Sequence, residues 1–120
     1  MCHSGGIESL IRTMQIHRLQ EDITEPGLCS LRHLTSRHPE AQLAQNDVRL
    51  HHGIPLVCSL MSTNRPLIVK AAMGLIRNLA MCEANLAPLR ENNAVQMCAG
   101  ALQAAFAEIQ KAKQMVKCCI

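Results

Sequence analysis

Two five-residue stretches decide the fold of this chain: LRHLT at Leu31–Thr35 and IRNLA at Ile76–Ala80. Both read apolar, arginine, polar, leucine, small, and they lie 45 residues apart. A second pair of matching segments begins at Gly6 and Gly53, an offset of 47 residues, and a weaker third copy begins at Ala94. Recurrence at such a spacing indicates a protein built from stacked copies of one structural unit.

Residues 66–81 carry the clearest helical pattern in the sequence. Pro66 suits the first turn of a helix, because the N–H that proline lacks would have no partner there. Apolar residues recur at intervals of three and four, which places them on one broad face of a helix. We therefore predict a helix near 66–81. Its opposite face carries Lys70, Gly74, Arg77 and Asn78.

The polar face of this helix recurs 45 residues earlier, and we predict a second helix there, near 26–36, with Pro26 as its first-turn proline. Its matching polar face holds Glu25, Cys29, Arg32 and His33. Two helices one repeat apart thus present adjacent polar faces. Weaker patterns predict further helices near 39–50, 53–61, 84–90 and 94–116, separated by turns near 20–23, 51–53, 62–65 and 91–93.

The composition favours an all-α architecture. The 120 residues are 48% hydrophobic, mostly Leu, Ala, Ile, Met and Cys, with one Phe and no Trp or Tyr. Sheets usually rely on aromatic and β-branched residues. Helical units that recur every 40 to 47 residues are typical of armadillo and HEAT solenoids. We therefore predict one all-α domain over residues 1–120.

Several functional classes are disfavoured by the sequence. A formal charge of +3 and a single aromatic residue argue against direct nucleic-acid binding. No run approaches the ~18 to 20 apolar residues of a membrane span, so we expect no membrane insertion. The sequence contains no Gly-rich phosphate loop, no nucleophile elbow and no paired carboxylates on one helix face. We expect no enzyme and no cofactor, although a Cys/His pair distant in the chain stays open.

The seven cysteines lack the paired spacing of a disulfide framework or a zinc site. We interpret them as reduced, intracellular thiols, and no metal is expected, since His33 and His38 fall on different sides of a helix. Small core residues are predicted at Cys29, Cys58, Cys82 and Cys98.

Eight segments carry a closer resemblance. They are GGIE at 5–8, EDITEP at 21–26, LRHLTSRH at 31–38, AQN at 44–46, VRLH at 48–51, GLIRNLA at 74–80, and AN and APLR between 84 and 90. Together they resemble the later armadillo repeats of the β-catenin and plakoglobin family. The resemblance covers residues 5–92, whereas residues 93–120 diverge into an Ala-rich helix and tail.

The resemblance implies an armadillo-type right-handed superhelical solenoid of about two and a half repeats. Each repeat has three helices, and the third helices, here those at Pro26 and Pro66, line a positively charged groove. Solvent-facing Arg and Asn side chains can pair with the carboxylates and backbone amides of an extended ligand. The matching groove positions are Arg32, His33, Arg37, Lys70, Arg77 and Asn78.

The same resemblance implies particular partners for a non-enzymatic binding module. Family grooves hold acidic extended tails: the cadherin cytoplasmic tail, T-cell-factor-type transcription factors, the adenomatous polyposis coli protein and axin. The implied roles are cadherin-based adhesion, Wnt signalling and transcriptional co-activation. The implied locations are the cytoplasm, the nucleus and the cytoplasmic face of cell junctions.

Three departures from the family pattern limit what the resemblance implies. Arg65 stands where the family has Trp, which removes an aromatic anchor of the kind that often dominates binding energy. His52 replaces a Tyr, so control by phosphorylation of that position is not expected. The α-catenin-binding segment and the transactivating tail have no counterpart. We therefore expect binding that is on the order of micromolar or weaker.

Two other functions stay open from the sequence. The chain could be a truncated product that acts as a decoy or is inactive, and a solenoid of so few repeats is expected to be loosely folded or self-associating. It could also be a transport adaptor of the importin-α type, whose groove takes basic peptides. The charge of the preferred ligand distinguishes that adaptor from a catenin-like module.

Overall fold

The computed structural model describes residues 4–36, 39–63 and 65–119. Within these ranges the chain is helical and contains no strand. The seven α-helices of the described ranges are α1 Ser4–Ile16, α2 Glu21–Ser36, α3 Ala41–Leu50, α4 Gly53–Leu60, α5 Pro66–Leu79, α6 Leu86–Glu91 and α7 Ala94–Cys119, with a 3-10 turn at Glu83–Asn85 before α6.

The helices form stacked three-helix units. Helices α3, α4 and α5 make one complete unit, α1 and α2 are the last two helices of the unit before it, and α6 and α7 are the first two of the unit after it. The third helices α2 and α5 pack side by side over most of their length. The prediction of an all-α, armadillo-type fold is therefore confirmed.

Helix α5 begins at Pro66 as predicted, but the prediction that α2 begins at Pro26 is wrong. α2 begins at Glu21, because the carbonyl of Gln20 accepts hydrogen bonds from the N–H groups of Ile23 and Thr24 at 3.1 and 3.0 Å. Acidic residues in this first turn also favour a helix N-terminus. The preceding turn consequently lies at residues 17–20 rather than 20–23.

The core runs between the units and is almost wholly aliphatic. Burying each large aliphatic side chain stabilises the fold by roughly 1.5 to 3 kcal/mol. Cys58 is a core residue as predicted, whereas Cys29 is exposed and that prediction is wrong. Side chains that are fully buried include Ile7, Ile11, Met14, Leu28, Leu31, Ile54, Leu60, Ile68, Leu75 and Leu79.

Two non-glycine residues in the described part of the chain have left-handed backbone conformations. His52 has φ 62° and lies between α3 and α4, and Asn93 has φ 59° and lies between α6 and α7. Both positions join the first helix of a unit to the second, so the two turns are structurally equivalent.

Candidate functional site

A polar cleft of about 480 Å³ lies between the C-terminal halves of α2 and α5. It forms because these two helices are adjacent third helices, and their polar faces meet along one side of the helix pair. The residues that line it are Cys29, Arg32, His33, Ser36, Gly74, Arg77 and Asn78. Four of the six predicted groove residues therefore line this cleft: Arg32, His33, Arg77 and Asn78.

The cleft is basic. Arg32 and Arg77 are exposed guanidinium groups, and His33 lies exposed beside them. No Asp or Glu is among the lining residues, and within the described part of the chain neither arginine has an ion-pair partner. Guanidinium groups in this state are available for bidentate hydrogen bonds to carboxylates.

Asn78 forms the floor of the cleft. Its side-chain nitrogen donates hydrogen bonds to the carbonyl of Arg32 at 3.0 Å and to the hydroxyl of Thr35 at 3.3 Å. The residue is 2% exposed, so the expectation of a solvent-facing amide is wrong. Since α2 and α5 pack closely, the amide joins the two helices.

Of the other two predicted groove residues, the structure describes Lys70, which lies apart from the cleft lining. Lys70 is exposed on α5, two turns before Arg77, where it extends the same helix face. Arg37 lies outside the described residues, so its predicted place in the groove stays a prediction.

A chain of buried hydrogen bonds beneath the cleft was not foreseen from the sequence. The side chain of Gln45 donates to the carbonyl of Thr35 at 2.8 Å, and Asn85 donates to the carbonyls of Gln45 and Leu79 at 3.1 and 3.0 Å. At the ends of both third helices, α2 and α5, an amide side chain therefore donates to a backbone carbonyl. Arg49 completes the chain with a 2.9 Å hydrogen bond to Asn85.

Arg65 lies at the other end of the helix pair. Its guanidinium donates to the carbonyl of Leu19 at 3.1 Å and lies 3.7 Å from the carboxylate of Glu21. The residue that replaces the family's Trp is thus an exposed link between the start of α5 and the turn before α2. Arg65 also borders a wider, open cleft of about 900 Å³. Arg18 and the hydroxyl side chains of Ser59, Ser62 and Thr63 help to line this cleft.

Neither a metal site nor a membrane span is found in the described part of the chain. No three His, Cys, Asp or Glu side chains within these ranges could hold an ion together. None of the helices in the same ranges is long and apolar enough to cross a bilayer.

Stacked three-helix units whose third helices enclose a basic cleft define this chain as an armadillo-repeat protein. It is 56% identical over 96 residues to the catenin beta of Urechis caupo, a match covering 79% of this chain and 12% of that relative. It is 43% and 44% identical over 117 residues to the armadillo segment polarity proteins of Musca domestica and Drosophila melanogaster.

Those two matches cover 97% of this chain and 14% of each relative. No protein-family model matches the sequence. The protein is therefore β-catenin/armadillo-like, and it spans about an eighth of the length of the curated relatives.

Proposed function

We propose that this chain is a non-enzymatic protein-binding module whose basic cleft holds an acidic, extended protein tail. The observation that carries the proposal is the lining of the cleft: two arginines and a histidine from adjacent units, with no acidic side chain among them. An extended peptide presents carboxylates and unpaired backbone groups together, which suits exposed guanidinium groups.

Similarity to catenin beta and armadillo proteins supports the particular partners expected for the cleft. They are the cadherin cytoplasmic tail, T-cell-factor-type transcription factors, the adenomatous polyposis coli protein and axin. The corresponding roles are adhesion at the cytoplasmic face of cell junctions, and Wnt signalling with transcriptional co-activation in the cytoplasm and nucleus.

The affinity of this chain alone should be on the order of micromolar or weaker. Hydrogen bonds to charged groups contribute about 1.5 to 3 kcal/mol at best, and exposure and salt reduce that. The ordering of a disordered tail costs free energy that few contacts can offset. Arg65 is engaged with Leu19 and Glu21 and supplies no aromatic contact.

Charge reversal tests the proposal. Arg32→Glu with Arg77→Glu should abolish binding to an acidic cadherin-tail peptide, measured by fluorescence anisotropy at two salt concentrations, and leave the far-UV helical signal unchanged. Arg18→Glu with Arg90→Glu is the matched control, because both are exposed arginines outside the lining of the basic cleft between α2 and α5 and the change in net charge is equal.

The control pair should retain most of the parent's affinity. Equal binding by the parent and the Arg32/Arg77 variant would contradict the proposal. A parent that prefers basic peptides would favour the importin-α-type alternative instead.

A further inference from the structure

Gly74 lies in the middle of a helix, and its backbone conformation is one that any residue can adopt. It is the ninth of the fourteen residues of α5, and none of the described glycines has a positive φ. Glycine inside a helix is destabilising relative to alanine, because it loses more conformational freedom on folding. The reason for glycine must therefore be space.

The Arg32 side chain occupies that space. A Cβ atom placed on Gly74 would lie 2.6 Å from Cδ of Arg32 and 3.2 Å from its Nη1. The first distance is shorter than real Cβ contacts, so the two cannot coexist as placed. The stem of Arg32 thus crosses from α2 onto the surface of α5.

Arg32 is also held one helical turn further along α5. The Asn78 side chain donates to the backbone carbonyl of Arg32 at 3.0 Å. Residue 74 of α5 thus leaves room for the Arg32 side chain, and residue 78 bonds the Arg32 backbone. Arg32 lines the cleft together with Arg77.

We propose that Gly74 is a positioning residue of the basic cleft: the absence of a side chain at Gly74 lets Arg32 lie across α5 with its guanidinium directed at the ligand. The proposal rests on the proposed function, since the ligand is the acidic tail. Fixing a charged group before binding lowers the entropy cost of each hydrogen bond that it then forms.

The contact at Gly74 differs from that at Gly27, where a Cβ would lie 2.7 Å from Sδ of the fully buried Met14. Arg32 is exposed and can swing into solvent, whereas Met14 cannot. Gly74→Ala should therefore displace a ligand-binding group and leave the core as it is.

The test measures Gly74→Ala in the full chain with a synthetic peptide rich in Asp and Glu as the probe. We expect affinity to fall about three- to tenfold, the range for one exposed charge-assisted contact, with a smaller salt dependence. The melting temperature should be unchanged or higher. Gly100→Ala is the matched control, because nothing lies within 4 Å of the added Cβ in that helix, and it should not change affinity.

A double-mutant cycle assigns the effect to Arg32. In an Arg32→Ala background, Gly74→Ala should no longer weaken binding. An equal loss in both backgrounds, an unchanged affinity in the single variant, or a loss of helical content would each overturn the proposal.

A second readout needs no ligand and keeps the two proposals distinguishable. Relaxation of the Arg32 side-chain Nε should report a restricted group in the parent and a mobile one in Gly74→Ala. Failure of the parent to bind any acidic peptide would remove the proposed function, and unchanged Nε relaxation would remove the positioning role of Gly74.

Discussion

Arg32 lies against two residues of α5, Gly74 and Asn78, and the sequence alone predicts neither of these contacts. The 45-residue offset places Arg32 in register with Arg77, and the structure puts both in one cleft. A repeat offset relates equivalent residues, however, and says nothing of which residues touch across the stack. The contacts of Arg32 with Gly74 and Asn78 depend on how closely α2 and α5 approach, which the side chains of the core determine.

Asn78 illustrates the same limit at a single side chain. Its position on the polar face suggested exposure, yet its amide is buried between helices. A polar residue at the border of a helix face can point towards solvent or towards the neighbouring helix. The distance to that helix decides whether the side chain is free to bind a ligand or joins the two helices.

Cys58 provides a residue-scale prediction. Burial, with a smaller contribution from Cys98, raises the pKa of the Cys58 thiol from 9.0 to about 11. Between these values the unfolded chain loses this proton and the folded chain keeps it, so the free energy of unfolding should decrease as pH rises from about 9 to 11. Urea titrations across that range measure the slope.

Replacing the thiol isolates its contribution to that slope. Cys58→Ala should flatten this part of the pH dependence, whereas Cys29→Ala, which removes an exposed thiol, should keep it. An identical slope in both variants would show that Cys58 does not titrate as described.

At the scale of elements, α2 has an uneven distribution of charge. Its first turn contains Glu21 and Asp22, Glu25 follows, and the basic residues Arg32 and His33 lie in the second half. Glu25 is one turn before Cys29, at the end of the cleft. The positive strip on this helix therefore ends near Cys29.

Neutralising that end should strengthen acidic-peptide binding. Glu25→Gln is expected to raise affinity about two- to threefold at low salt and less at high salt, because the charge is only partly buried and is screened. Glu91→Gln, at an exposed position on α6, removes the same charge away from the cleft and should have no effect. Anisotropy titrations at two ionic strengths distinguish the variants.

The start of α2 shows which element boundaries the sequence could have predicted. Pro26 looked like a first-turn proline because Pro66 is one, but the 45-residue offset from Pro66 leads to Glu21, where α2 begins. The repeat was a better guide than the local proline rule. A proline near the start of a helix is tolerated at more than one position, since packing of α2 on α5 stabilises the helix as a whole.

On the scale of the whole molecule, the buried chain of amides links the complete unit to its neighbours. Gln45 and Asn85 satisfy carbonyls at the ends of α2 and α5, and Asn85 also accepts from Arg49. The periodicity of apolar residues in the sequence does not predict such bonds, because it locates buried apolar faces and says nothing of which polar side chain meets which backbone carbonyl. Their effect is to fix the angle at which a third helix meets the next unit.

Removing Asn85 should weaken the connection between units. Asn85→Ala removes the two hydrogen bonds that its side chain donates to the carbonyls of Gln45 and Leu79 and the one that it accepts from Arg49. We expect a loss of about 2 to 3 kcal/mol in the free energy of unfolding, measured by urea denaturation. Asn92→Ala is the control, since the Asn92 side chain donates a local hydrogen bond to the carbonyl of Pro88, one turn earlier in the chain. A cost no larger than that of Asn92→Ala would mean that the buried amides contribute nothing.

The two left-handed residues, His52 and Asn93, make the turn between the first and second helices of a unit sensitive to the configuration of one amino acid. At His52 and Asn93 the backbone locally adopts the conformation natural to a D-amino acid. An L residue there costs roughly 1 to 2 kcal/mol, so a chain ligated with D-alanine at position 52 should be more stable than one with L-alanine by about that amount. At His51, where φ is −102°, the same inversion should destabilise the fold, and the boundary between first and second helices can thus be located by stereochemistry alone.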